Sequence, residues 1–285
     1  RLPILFLPGD TFANRMPDPV LQQVEHFNNP GITQNDSFRS VVRYFDRIVR
    51  PEQILSSLPQ AIEIMLDPAD CGPACISLSQ DVQGETFDYP EDFFKEKTHI
   101  IRRPRPDDYQ VKKAAEIIMN SQAPIIISGG GVFYSDAMHE LSEFAKKHNI
   151  PVTQTVMGYS TMKKDHPYFL GPIGGLGGKA ANNMAKKTDL AIAIGTKLAD
   201  FTTGSWANFE NPKFKLVTIN AGRFDANKHM AQAIIGDAKV TLTELSRTLG
   251  SWRANDEWSN QGKKELKNWN DYVDKESGPT NQELP

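Results

Sequence analysis

An α/β fold built on parallel sheets is what this 285-residue sequence predicts, and three observations predict it. Short, wholly apolar runs recur along the chain and end in Ser, Gly or Asn, as buried parallel strands do. Between them, apolar residues repeat at helical spacing, as in Val111, Ala114, Ala115 and Ile118. Glycine-rich turns follow several of the strand-like runs, which places flexible backbone at the carboxyl ends of strands, where such sheets hold ligands.

In chain order, Pro3 to Leu7 reads as an opening strand and Pro8-Gly9-Asp10 as the turn after it. Asp18-Pro19 reads as the cap and first residue of a helix with Val20, Val24 and Phe27 on one face and Gln22 and Gln23 on another. Ser37 to Ile48 is dense in aromatic and basic residues, and a subunit face is favoured over nucleic-acid binding because acids adjoin the arginines. Pro51 starts a helix carrying Ile54, Leu58, Ile62 and Met65, which Pro59 should kink or split. Ala74 to Leu78 is a buried strand ending at Ser79, with Gln80, Asp81 and Gln83 at its carboxyl end.

Residues 95–106 read as a linker, with a short strand at Thr98 to Arg102. Asp107 and Asp108 open a helix, and Ala123 to Ser128 is a strand running into Gly129, Gly130 and Gly131, followed by a helix capped by Ser135. Further strands are expected at Ile150 to Thr155, Asp189 to Thr196, Lys215 to Asn220 and Gln232 to Gly236, with a helix from Asp237 to Leu249. Gly171 to Gly178 reads as a flexible loop before a short helix. Two readings stand for Gly129, Gly130, Gly131, Gly174, Gly175, Gly195 and Thr196: a vestigial nucleotide site, or tight strand-to-helix turns. Trp252, Trp258 and Trp269 then mark a charged linker helix, as packing anchors rather than an aromatic cage.

Composition narrows the function. With 32 Lys and Arg against 35 Asp and Glu the net charge is −3, which offers no basic footprint for nucleic acid. No apolar run is long enough to span a bilayer. Cys71 and Cys75 read as reduced thiols of a cytoplasmic protein, because no second Cys pair or His cluster completes a metal site. Neither a Gly-x-Ser-x-Gly elbow nor a Cys with a visible His partner appears.

The string from Gly72 through Leu78-x-Gln80-Asp81-Val82-Gln83, followed by Asp88-Tyr89-Pro90, resembles the end of the pyrimidine-binding domain of thiamine diphosphate (ThDP) enzymes. So do Pro17 to Gln23, Tyr44 to Ile48 and Arg50 to Gln53, in a pattern similar to the ring-opening hydrolases of inositol catabolism. The resemblance implies an internal portion of a longer enzyme. Residues 1–94 would be the second half of a pyrimidine-binding domain, 107–250 a Rossmann-like central domain, and 251–285 a linker toward a diphosphate-binding domain. It implies ThDP and Mg²⁺ in the intact enzyme, with the catalytic glutamate before Arg1 and the metal motif after Pro285, so no catalytic residue or metal ligand in this chain. It also implies a cyclic diketone as substrate, a homodimer or homotetramer, and Asp10, Gln22, Gln23 and Arg43 as polar cleft candidates. FAD or another nucleotide is not expected in the central domain. An FAD-holding carboligase resembling acetohydroxyacid synthase and a non-catalytic nucleotide-binding or assembly module are the alternatives.

Overall fold

The computed structural model describes residues 1–16 and 18–278; Pro17 and the Pro279 to Pro285 end of the expected linker lie outside the described residues. The chain divides into two compact units, residues 1–102 and residues 103 onward.

In the first unit β1 (Leu5–Phe6) and β2 (Gly9–Asp10) lie end to end along one side of a central strand, and β3 (Tyr44–Ile48) lies along the other. Helix α1 (Ile54–Leu66) follows β3 after a single 3-10 turn at Pro51–Gln53; Pro59 lies inside α1, which runs through it without being split. The central strand is β4 (Ala74–Ser79), and every pairing to it is parallel. Alternation along these strands gives two unlike faces. Ala74 and Ile76 of β4, with Ile48 of β3, pack with Ala61 and Leu58 of α1 in an apolar core. The opposite face carries Asp10, Arg47 and Ser77, and is covered by a 3-10 helix at Gln34–Ser40.

Three local expectations fail here: the turn at Pro8-Gly9-Asp10, the helix after Asp18-Pro19 and the strand at Thr98 to Arg102. Pro8-Gly9-Asp10 is not a turn: Leu78 N–H donates to Pro8 O at 2.9 Å, and Gly9 and Asp10 continue the ladder opposite Leu78 and Ser79. Residues 18–27 form turns rather than a helix. Gln22 stands at φ 63, the Gln23 side chain accepts from Val20 N–H, and Gln23 bridges to Thr33. A left-handed residue ends any helix, and the Asn28-Asn29-Pro30-Gly31 run returns the chain at once. Thr98 to Arg102 has no regular structure.

The second unit begins where Arg103 and Pro104 bond to Asp237. In order it contains α2 (Asp108–Met119), capped by Asp107; β5 (Pro124–Ser128); α3 (Gly130–Tyr134); α4 (Met138–His148); β6 (Val152–Gln154); and β7 (Phe169–Pro172). There follow α5 (Lys179–Lys187), β8 (Leu190–Ile194), α6 (Asp200–Thr203), β9 (Lys215–Asn220), α7 (Arg223–Ala226), β10 (Gln232–Ile235), α8 (Ala238–Leu249) and α9 (Asp256–Glu276). The sheet is parallel throughout, in the order β10-β9-β8-β5-β6-β7.

Alternate residues of the buried strands feed two cores. Ile126, Ile192 and Val217 pack with α2, α4 and α8, while Ile125, Ile127, Ala191 and Ala193 pack with α5 and Trp258 of α9. Helices on both faces of a parallel sheet make the doubly wound architecture that the apolar runs predict. Strand β7 is the element the sequence hides, since Gly171-Pro172 reads as loop; an edge strand tolerates that proline. Ser135 closes α3 rather than capping α4.

Candidate functional site

Because β2, β3 and β4 are parallel, their carboxyl ends lie at one edge of the first sheet, and a charged network is buried there. Asp10 is fully buried at the end of β2. Arg47 Nε of β3 donates to its Oδ2 at 2.7 Å, Ser77 Oγ of β4 donates to the same oxygen, and Thr11 N–H donates to Oδ1 at 2.8 Å. Arg47 Nη2 also donates to Thr33 Oγ1 at 2.9 Å and to Asp36 Oδ2 at 2.6 Å, and Arg39 Nε reaches Asp36 Oδ1 at 2.6 Å. Asn35, itself buried, donates to Gly9 O and to Ser77 Oγ.

The electrostatics follow from this geometry. Burial pushes the Asp10 carboxyl up, but hydrogen bonds from Ser77, Arg47, Thr33 and Thr11 outweigh it and leave Asp10 below the usual carboxylate range. Asp36 is likewise pushed up by partial burial, and the bonds from Arg39, Thr33 and Arg47 bring it down to about 2. For Arg47, burial pulls down and the two carboxylates more than restore, so its pKa stands above the ordinary value. The network is therefore an internal ion pair with its hydrogen bonds spent on itself. Ser79 Oγ, opposite Asp10 in register, and Thr11 Oγ1 are buried without a partner.

The four polar candidates do not assemble into one site. Asp10 faces the network. Gln22 has its side-chain amide against Gly9, and both ends of the Gln23 amide are engaged, with Val20 N–H and Pro30 O. Arg43 lies at the opposite, amino end of the sheet: its N–H donates to Pro73 O, its side chain lies on Gly72, and it is exposed. The residue that reaches Asp10 is Arg47, which the sequence reading treats as surface packing. The available signal was its place two residues from Phe45 in a period-2 run, on the face opposite Asp46.

In the second unit the strand order reverses between β5 and β8, and the glycine runs meet at that point. They are packed against one another. Gly129 N–H donates to Ile194 O at 2.8 Å, Gly131 N–H to Gly195 O at 2.9 Å, and Gly195 N–H to Ile219 O at 2.8 Å. A Cβ on Gly129 would stand 2.5 Å from Gly195 O, and one on Gly130 3.0 Å from Met157 O. Gly174, at φ 101, lies under Phe201, with its N–H given to Asn182 Oδ1; Gly175 N–H goes to Phe201 O. Thr196 Oγ1 accepts from Leu198 N–H. The N–H groups of Gly129, Gly131, Gly174, Gly175 and Gly195 are thus engaged within the fold, as tight strand-to-helix turns require. Among the described residues no group of three or more His, Cys, Asp or Glu could hold a metal ion, and no helix is long and apolar enough to cross a membrane. Cys71 and Cys75 are both free thiols, and burial pushes the Cys75 thiol up.

Comparison with known proteins agrees with these features. Residues 111–245 match the model of the thiamine pyrophosphate enzyme central domain. The chain is 50% identical over 249 residues to 3D-(3,5/4)-trihydroxycyclohexane-1,2-dione hydrolase of Clostridium perfringens (strain 13), covering 87% of this chain and 39% of that one. Against the protein of the same description from Listeria monocytogenes (strain EGD-e) it is 47% identical over 253 residues, covering 89% and 40%. The chain thus spans about two fifths of the length of these relatives. An X-ray structure described as a thiamin diphosphate-dependent enzyme from Mycobacterium smegmatis superposes with a TM-score of 0.66 at 19% identity, over 89% of this chain and 46% of that one, a likeness of fold.

Proposed function

We propose that this chain, which belongs to the ThDP enzyme family, is part of a hydrolase that opens a ring C–C bond of a cyclic polyol 1,2-diketone in myo-inositol degradation. The observation that carries the proposal is identity near one half, sustained over 87% of the chain, to proteins described as dione hydrolases. In this reading residues 1–94 supply the second half of a pyrimidine-binding domain and residues 107–250 the central domain. ThDP, with Mg²⁺, would supply the carbanion that attacks a carbonyl; the groups that hold and activate it belong to sequence other than the residues described here. What this chain contributes is support. The Asp10–Arg47–Asp36 network fixes the carboxyl edge of the first sheet, and the engaged glycine loops support a central domain that is scaffold, against the FAD-holding carboligase alternative.

Of the polar cleft candidates, Gln22, whose side-chain amide lies against Gly9, keeps that assignment; the intact protein is proposed to be a cytoplasmic homodimer or homotetramer. The test is to compare this chain with a polypeptide of the relatives' full length. Hydrolysis of a cyclic polyol 1,2-diketone, dependent on added ThDP and Mg²⁺, is expected of the longer protein. The 285 residues alone should show neither turnover nor calorimetric ThDP binding above background. Turnover by these residues unaided would overturn the assignment, and a yellow, FAD-loaded longer protein would favour the carboligase.

A further inference from the structure

His148, the last residue of α4, is fully buried and has no part in the site described above. Its Nδ1 lies 2.7 Å from the Trp252 carbonyl oxygen and its Nε2 lies 3.0 Å from Ser246 Oγ on α8. A carbonyl oxygen can only accept, so Nδ1 carries the proton, and Nε2 of the neutral ring accepts from the Ser246 hydroxyl. The same Oγ accepts from Lys147 Nζ at 3.1 Å. The backbone completes the attachment. Ala254 N–H donates to His148 O at 2.9 Å, and Asn149, left-handed at φ 60, gives its Nδ2 hydrogens to Ala254 O at 2.9 Å and Asp256 Oδ1 at 2.8 Å. Residues 250–255 carry the chain from α8 into the 21-residue helix α9, so the entry to α9 is held by the end of α4.

A second proton on this ring would have to sit on Nε2; the Ser246 hydroxyl hydrogen would then have to turn away, and the imidazolium and the Lys147 ammonium would share one hydroxyl oxygen as acceptor. No carboxylate is bonded to the ring to offset the added charge. Lys147 and the Phe144 ring face it from α4, Ser246 from α8, and Trp252 and Arg253 from the connection, while the Asp256 carboxylate at the start of α9 is bonded to Asn149. Burial, with Lys147 and Arg253 adding to it against the Trp252 bond, holds His148 below the ordinary imidazole value of 6.5.

We propose that His148 is an acid-sensitive latch: the neutral imidazole closes the 250–255 connection onto α4, and its protonation frees the entry of α9 while the sheet stays folded. A histidine depressed in the folded state contributes its full stability above 6.5 and loses it as pH falls below that value.

The test is amide hydrogen exchange on the full chain at pH 7.5 and pH 5.5, compared as protection factors so that intrinsic rates cancel. Protection over residues 250–262 should fall severalfold at pH 5.5, with about tenfold as the ceiling linkage allows one imidazole, while β5 and β8 keep theirs. His148→Gln, which does not titrate, should abolish the pH response. The exposed change Lys147→Gln should leave the fold intact and reduce the response. Unchanged protection in the wild type, an equal response in His148→Gln, an undiminished response in Lys147→Gln, or loosening of β5 and β8 by the same factor would each overturn the latch.

Discussion

Replacing Arg47 with Met tests the buried network directly. The substitution keeps much of the apolar stem and removes three hydrogen bonds: to Asp10 at 2.7 Å, to Thr33 at 2.9 Å and to Asp36 at 2.6 Å. Asp10, with no exposure, then keeps only Ser77 and Thr11 as donors and must take up a proton or draw in water. Breaking a buried pair by removing one partner costs about 3–5 kcal/mol. The Arg47 side chain is 20% exposed and Asp36 can turn to water, so a value near the lower end, about 3 kcal/mol, is expected. Asp10→Asn in the same background should recover part of it, because the stranded charge is gone, giving a coupling of about 1–3 kcal/mol. Arg43→Met, exposed at the far end of the sheet, should stay within about 0.5 kcal/mol of wild type. The two units can be followed separately, since all four tryptophans fall after residue 102. Urea unfolding by far-UV circular dichroism should show the loss in Arg47→Met, while the tryptophan transition stays where it was. A loss under 1 kcal/mol, no coupling to Asp10, or an equal shift of the tryptophan transition would refute the reasoning.

The remaining expectations concern acid, glycines and protease. Asp36 titrates at about 2 against an ordinary 3.8, so its stabilisation, about 2 kcal/mol, is complete above pH 3.8 and lost as pH falls through 2; circular dichroism from pH 7 to pH 2 should show this, and Asp36→Asn should flatten that part of the curve. Gly174→Ala sets a Cβ 1.9 Å from Phe201 O at a left-handed φ and should cost more than 3 kcal/mol. Gly250→Ala, at φ 59 with nothing within 4 Å, should cost about 1 kcal/mol and Gly84→Ala almost nothing, all read from urea midpoints. Limited proteolysis should cut first between residues 95 and 102, where the chain has no regular structure beyond Lys95 and Ile100 and Ile101 are exposed; an intact 95–102 stretch beside a digested second unit would contradict this.

Much of the second unit was legible because its elements are specified locally. The stripe Val111, Ala114, Ala115 and Ile118 is buried as its spacing requires, Asp107 and Asp237 cap the helices they precede, and the apolar runs at β5, β8 and β9 are buried strands. Trp258, expected as an anchor, donates Nε1–H to Pro124 O at 2.8 Å in the core. Legibility fails where an element has little pattern of its own. Strand β7 exists because β6 offers it an edge, and residues 18–27 are not helical because the chain around Gln22 turns back toward Thr33.

By itself the sequence determined the fold class, most of the buried parallel strands and the helices between them in the second unit, and the resemblance to ThDP enzymes, because burial periodicity, caps and long residue strings are written into neighbouring positions. Only the tertiary structure decided what the polar residues do. Asp10 and Arg47 are 37 residues apart and sit on strands separated by β4, so their ion pair exists only once three parallel strands are in register. For the same reason Arg43, four residues from Arg47, ends at the other edge of the sheet, and the glycines of β5 and β8 close on each other. Strand order, which no single segment carries, chose the partners.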